Sequence, residues 1–155
     1  MKDPYYQKIL EGLAGDLEPT AFEECVVALL SDAYPSLVPV HGGGDAGMDG
    51  LIADNKGEPY PLVVTTRQEP LENLKASLNS QLAHKWPRRQ VVVVTSRALT
   101  PHRQRRLFKH ARETGFTIVQ LFEQRGIADR LYRNSAWAHR LLGITGRPSA
   151  LSAIP

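Results

Sequence analysis

Two apolar runs with one amphipathic helix between them constrain this chain more than any other feature. The first, Tyr60 to Thr66, contains Leu62-Val63-Val64. The second, Gln90-Val91-Val92-Val93-Val94-Thr95, is apolar at consecutive positions, so both faces of that strand must be covered. Between them, Pro70 opens a helix reaching Trp86, with Leu71, Leu74, Leu78, Leu82 and Trp86 on one face. Strand, helix and strand in that order make a right-handed parallel crossover. Strands 62–66 and 91–95 are therefore expected side by side and parallel.

The flanking segments extend this core into an α/β domain. Residues 5–14 carry Tyr6, Ile9, Leu10 and Leu13 at helical spacing. A second helix follows, with Phe22, Cys25, Val26, Leu29, Leu30 and Ala33 on one stripe, ending near Tyr34 because Pro35 disfavours helix before it. Thr20 and Glu23 have the spacing of an S/T-x-x-E capping box at its start. A strand at 37–41 contains Pro39, which suits an edge, and Leu51-Ile52-Ala53 turns through Asn55-Lys56-Gly57 into the strand beginning at Tyr60. Residues 101–114 form a helix, Phe116 to Leu121 a strand, and 123–133 and 135–142 two short helices. The expectation is a mixed central sheet, an antiparallel hairpin leading into parallel crossovers, flanked by helices. Residues 1–142 form the domain, and 143–155, rich in Gly, Pro and Ser, a linker or tail.

Bulk properties exclude several classes. A chain of 155 residues with 42% hydrophobic and 23% charged residues builds one globular core, not a disordered segment. No apolar run approaches the roughly 20 residues of a membrane span. The single cysteine, Cys25, has no intrachain partner, and a reducing cytoplasm is the expected setting. Net charge is only +3, but Arg88, Arg89, Arg97, Arg103, Arg105, Arg106, Lys109 and Arg112 crowd one region. On helix 101–114, Arg105, Arg106, Lys109 and Arg112 share roughly one face, opposite Leu107, Phe108 and Ala111. Such a face is either a solvated surface or a set of phosphate contacts, and DNA is the expected partner.

The segment Gly44-Asp45-Ala46-Gly47-Met48-Asp49-Gly50-Leu51-Ile52 carries the chemistry. Its glycines allow close approach of the backbone to a ligand, and Asp49 leads into a strand. A carboxylate there suits Mg²⁺, which takes oxygen ligands and few of them from protein. Taken alone, the same segment is better read as a glycine turn steadied by its two aspartates. It is not a P-loop, since no GKS or GKT follows and a strand, not a helix, comes next.

Phe22-Glu23 on the second helix, the glycine loop with Asp49, and the strand Leu62-Val63-Val64-Thr65-Thr66-Arg67 stand in a familiar order. The arrangement, over about residues 18–97, resembles the Mrr-like restriction endonuclease family of the PD-(D/E)XK nucleases. In that family an FE pair, a GD(G/x)G(I/V)DG loop and a strand ending in (Q/E)xK build one metal site. The resemblance implies a restriction-endonuclease-like three-layer fold, a Mg²⁺ or Mn²⁺ cofactor, and hydrolysis of DNA phosphodiester bonds in defence against foreign DNA. It places Asp49 and Glu23 as metal ligands. Thr65 stands where the family has Gln or Glu, and Arg67 where it has Lys, so the third motif departs from the active pattern. Threonine is a weak neutral ligand, and a guanidinium keeps charge but never gives up its proton. The alternative is a catalytically impaired module on the same fold that binds DNA or regulates a larger protein. A third reading is an unrelated α/β binding domain. Glu69, Glu72 and Lys75 are candidates to replace the missing groups, or simply the solvated first turns of a helix.

Overall fold

The computed structural model describes residues 4–40 and 48–145. The glycine-rich residues 41–47, Asp45 among them, and the tail from 146 onward lie outside the described residues. In chain order the elements are α1 (Pro4–Ala14), α2 (Pro19–Leu30), β1 (Val38–Pro39), β2 (Gly50–Ile52), β3 (Tyr60–Thr65) and α3 (Pro70–Ala83). They continue with β4 (Gln90–Thr95), α4 (Pro101–Glu113), β5 (Thr117–Phe122), α5 (Gln124–Tyr132) and α6 (Ser135–Leu142).

The strands form one sheet in the order β1-β2-β3-β4-β5. β2 pairs antiparallel with both β1 and β3; β3, β4 and β5 run parallel. The parallel pair of the crossover is in register from Leu62 opposite Val92 to Thr65 opposite Thr95. Alternation along β3 and β4 splits the core into two. Leu62, Val64, Val92 and Val94 pack under α1, α2, α5 and α6; Val63, Val91 and Val93 pack under α3 and α4. All seven of these strand residues are buried. Each contributes about 1.5–3 kcal/mol relative to exposure, which is why this pair of strands dominates the fold.

Local boundaries follow backbone chemistry. α2 starts at Pro19, and its N-cap is Glu18, whose carboxylate accepts the Ala21 N–H. This corrects the capping box expected from Thr20 and Glu23. Proline at the first helical position has a preset φ and no N–H to satisfy, so the cap falls on the residue before it. Thr20 then lies inside the helix, and Glu23 is relieved of any capping role. α2 ends at Leu30, short of the expected Tyr34. α3 ends at Ala83, short of Trp86, because Lys85 turns the chain at φ 56° and Trp86 donates through Nε1 to the Pro59 carbonyl at 3.2 Å. In α4 the cap is Thr100, accepting from the Arg103 N–H, and Phe108, expected inside, is 36% exposed. Gly143 takes the left-handed C-cap of α6, and Ile144 still packs against the core.

Candidate functional site

A half-open cavity of about 360 Å³ sits at the C-terminal end of β3, between α2 and α3. Glu23 reaches it from α2, Asp49 from the residue ahead of β2, and Thr65, Thr66 and Arg67 from the end of β3. The structure thus brings Glu23, Asp49, Thr65 and Arg67 around one cavity.

Asp49 is held from three sides. Its N–H donates to the Leu62 carbonyl at 2.8 Å, and its carbonyl accepts from the Val40 N–H at 3.1 Å. Its carboxylate Oδ2 accepts the Val64 N–H at 2.7 Å, just beyond the last paired residues, Gly50 and Leu62. Gly50, next in the chain, lets β1 pack close to β2: a Cβ there would meet Leu37 Cδ1 at 3.1 Å and the Val38 carbonyl at 3.2 Å. Burial raises the Asp49 pKa above the usual carboxylate range, and the Val64 hydrogen bond offsets part of that rise.

Glu23 is perturbed more. Burial first, then the charge of Asp49, then that of Glu18, push its pKa up to about 7. The charge of Asp49, whose carboxylate is tied to Val64, is thus part of what favours the protonated form of Glu23. Two carboxylates forced together in a cleft make a site for a shared proton or for a cation.

The third motif is built differently from the other two. Thr65 is buried, and its Oγ1 accepts the Arg67 N–H at 3.1 Å, closing a small turn at the strand end. By alternation Thr65 continues the side of Val63, towards α3, whereas Val64 packs on the side of α2. A charged residue at position 65 would enter buried space, so replacing Thr65 by Glu is a large perturbation. β4 ends in the same device: Thr95 Oγ1 accepts the Arg97 N–H at 3.1 Å. Arg97 then spans the two walls. Its Nε donates to the Thr66 carbonyl at 2.9 Å and its Nη1 to the Ala14 carbonyl at 2.7 Å, tying the end of β3 to the approach to α2.

Residues that sequence reasoning passed over complete the cavity: Asn73 and Ser77 of α3 line it opposite Glu23. Their spacing of four puts them on one face of α3, but nothing in the sequence marks that face as enclosed. Glu69, Glu72 and Lys75 do not line it. Glu69 pairs with Arg103 at 3.6 Å, and Glu72 with Lys75 at 3.7 Å.

The basic crowding of the sequence divides in space. Arg88 forks onto Asp54 at 2.8 Å and lies over the Tyr60 ring, Arg89 covers Phe116, and Arg103 donates to the Gln68 carbonyl at 2.6 Å. Four of the eight cations (Arg97 included) are therefore struts. Arg106 and Lys109 line a separate cavity with Leu71 and Lys75, on the other side of α3 from Asn73 and Ser77. Arg105 and Arg112 are exposed and line neither cavity. The four residues of the expected DNA-contacting face are thus not gathered at the cleft.

Cys25 is fully buried in α2, and burial pushes its thiol up to about 12, so it is no nucleophile. Among the described residues no three His, Cys, Asp or Glu side chains gather at one point. No described helix is long and apolar enough to cross a membrane. Comparison with protein-family models, with curated proteins and with solved structures gives no match.

Proposed function

We propose that this chain is a metal-dependent, phosphodiester-hydrolysing domain of the Mrr-like kind, acting on DNA in defence against foreign DNA. The observation that carries the reading is the convergence of Glu23 and Asp49, from separate elements, in one half-open cleft where their charges repel. The donor set fits a hard divalent cation: two carboxylates with a threonine hydroxyl nearby, and room for the waters that Mg²⁺ keeps. Asp49, through the oxygen not committed to Val64, and Glu23 would hold it. When bound, such an ion polarises a phosphoryl oxygen and lowers the pKa of a coordinated water.

The residues of this chain supply the rest. Without the ion Glu23 holds its proton up to about pH 7, so binding a cation there would release that proton and would strengthen as pH rises. Arg67, exposed at the cleft rim, offers a fixed positive charge to phosphate. Asn73 and Ser77 present neutral hydrogen-bonding groups from the opposite wall.

A second reading, a DNA-binding module with an impaired site, is favoured by one observation. Thr65 offers only a weakly ligating hydroxyl where the family has Gln or Glu, and that oxygen already accepts the Arg67 N–H. Plasmid cleavage with Mg²⁺ or Mn²⁺, comparing the native chain with Asp49→Ala, decides between the two. The expected result is nicking that Asp49→Ala abolishes, stronger with Mn²⁺, whose coordination is less demanding. No cleavage by the native chain, with DNA binding retained, selects the second reading.

A further inference from the structure

We infer that the notch between α3 and α4 is a phosphate-binding site, separate from the cleft. It encloses about 190 Å³ and is lined by Leu71 and Lys75 of α3 and by Arg106, Lys109, His110 and Glu113 of α4. Three permanent cations thus face one carboxylate. A second carboxylate, Glu72, pairs with Lys75 at 3.7 Å from outside the lining, and the local excess stays positive.

Two of the three cations are also unspent. Among the described residues neither Arg106 nor Lys109 joins an ion pair, whereas Arg103, one turn earlier, is occupied by Glu69 and the Gln68 carbonyl. Like charges gathered from two helices repel, and a bound anion relieves that repulsion. Leu71 forms an apolar wall, which strengthens charge–charge attraction beside it. His110 adds an independent sign. Its Nε2 is shielded from solvent and has no hydrogen-bond partner among the described residues, an arrangement that costs free energy unless something else answers it.

The ligand class follows from this chemistry. Two flexible ammonium groups and one planar guanidinium, with little apolar lining, select a compact, multiply charged oxyanion. A phosphate satisfies this, whether it belongs to a polynucleotide backbone or is free. The site does not depend on hydrolysis in the cleft, because α3 stands between the two.

Binding is the readout that tests it. Amide and histidine ring resonances are followed while inorganic phosphate is titrated in. In parallel, a labelled short DNA duplex is bound at several salt concentrations. Phosphate should shift Lys75, Lys109 and His110, and Lys75→Gln should abolish those shifts, whereas the charge-matched Lys8→Gln, at an exposed position of α1, should not. If the phosphate comes from a polynucleotide, Lys75→Gln also flattens the salt dependence of duplex binding by about one unit of slope. Phosphate shifts with an unchanged duplex slope support the site and assign it to a free phosphate. Phosphate shifts spread over the surface, or equal effects of Lys75→Gln and Lys8→Gln, overturn the proposal.

Discussion

Replacing Glu23 with glutamine removes one ionisable group from the cleft at almost constant volume, and its effect on stability should depend on pH. In the folded chain the carboxyl titrates near 7 against an ordinary value of 4.5. Each unit corresponds to about 1.4 kcal/mol, so the unscreened cost of ionising it in place is roughly 3 kcal/mol. Glu23 is only half-buried, and water reaches the cleft; screening reduces that figure to about 1 kcal/mol. The pKa of this acid is raised on folding, so the folded state holds its proton longer than the unfolded one. Below about pH 4.5 both states are protonated and no cost exists; it grows between 4.5 and 7 and is complete above 7. Glu23→Gln should therefore leave stability almost unchanged at pH 4 and raise it by about 1 kcal/mol at pH 8.5, measured by urea unfolding with equal m-values. In an Asp49→Asn background the gain at pH 8.5 should shrink, since part of the cost is their repulsion. An identical difference at both pH values, or a loss confined to pH 8.5, would refute the electrostatic account of the cleft.

Two further outcomes test how the walls of the cleft are held. Glu18→Ala should cost about 1 kcal/mol through loss of the α2 cap, while Thr20→Ala, inside the first turn, should change unfolding free energy by only a few tenths. The reverse order would restore the capping box. Arg97→Met should lower stability by about 2 kcal/mol, because two carbonyls lose a charged donor, and Arg97→Lys should recover only part of it. Thermal and urea unfolding that leave Arg97→Met unchanged would show that the strut carries no load.

The parallel core was readable because its signal is redundant. Val91 to Val94 are apolar at every position, and that pattern is satisfied only when both faces are covered. The start of α2 was misread because two rules competed. Thr20 and Glu23 match a capping box, but Pro19 belongs at the first helical position and moves the cap to Glu18, a residue type rarely favoured there. Crowding of arginines in sequence also misled. Residues 88 and 89 precede β4 while 97 and 103 follow it, so a strand length separates them, and each is absorbed by a carboxylate, ring or carbonyl near its own end. Charge density along a chain does not report which charges remain unpaired. Asn73 and Ser77 went unnoticed because neutral polar residues on a helix carry no distinctive pattern until a neighbouring element shows which side is enclosed.

The strand order of the sheet has a consequence for how the molecule is made. Because β1 to β5 lie in chain order, each new strand adds to the edge its predecessor has just left, and the sheet can grow from one end as the chain emerges from the ribosome. The first helix cannot follow that schedule. α1 packs against α5 and α6, with Tyr6 donating to Asp129 at 2.9 Å and both Tyr5 and Tyr6 against the Tyr132 ring. Its apolar residues, Ile9 and Leu13 included, must wait until more than a hundred residues later in the chain are synthesised. Docking of α1 therefore waits on the synthesis of α5 and α6, and until then its apolar face has no partner to cover it.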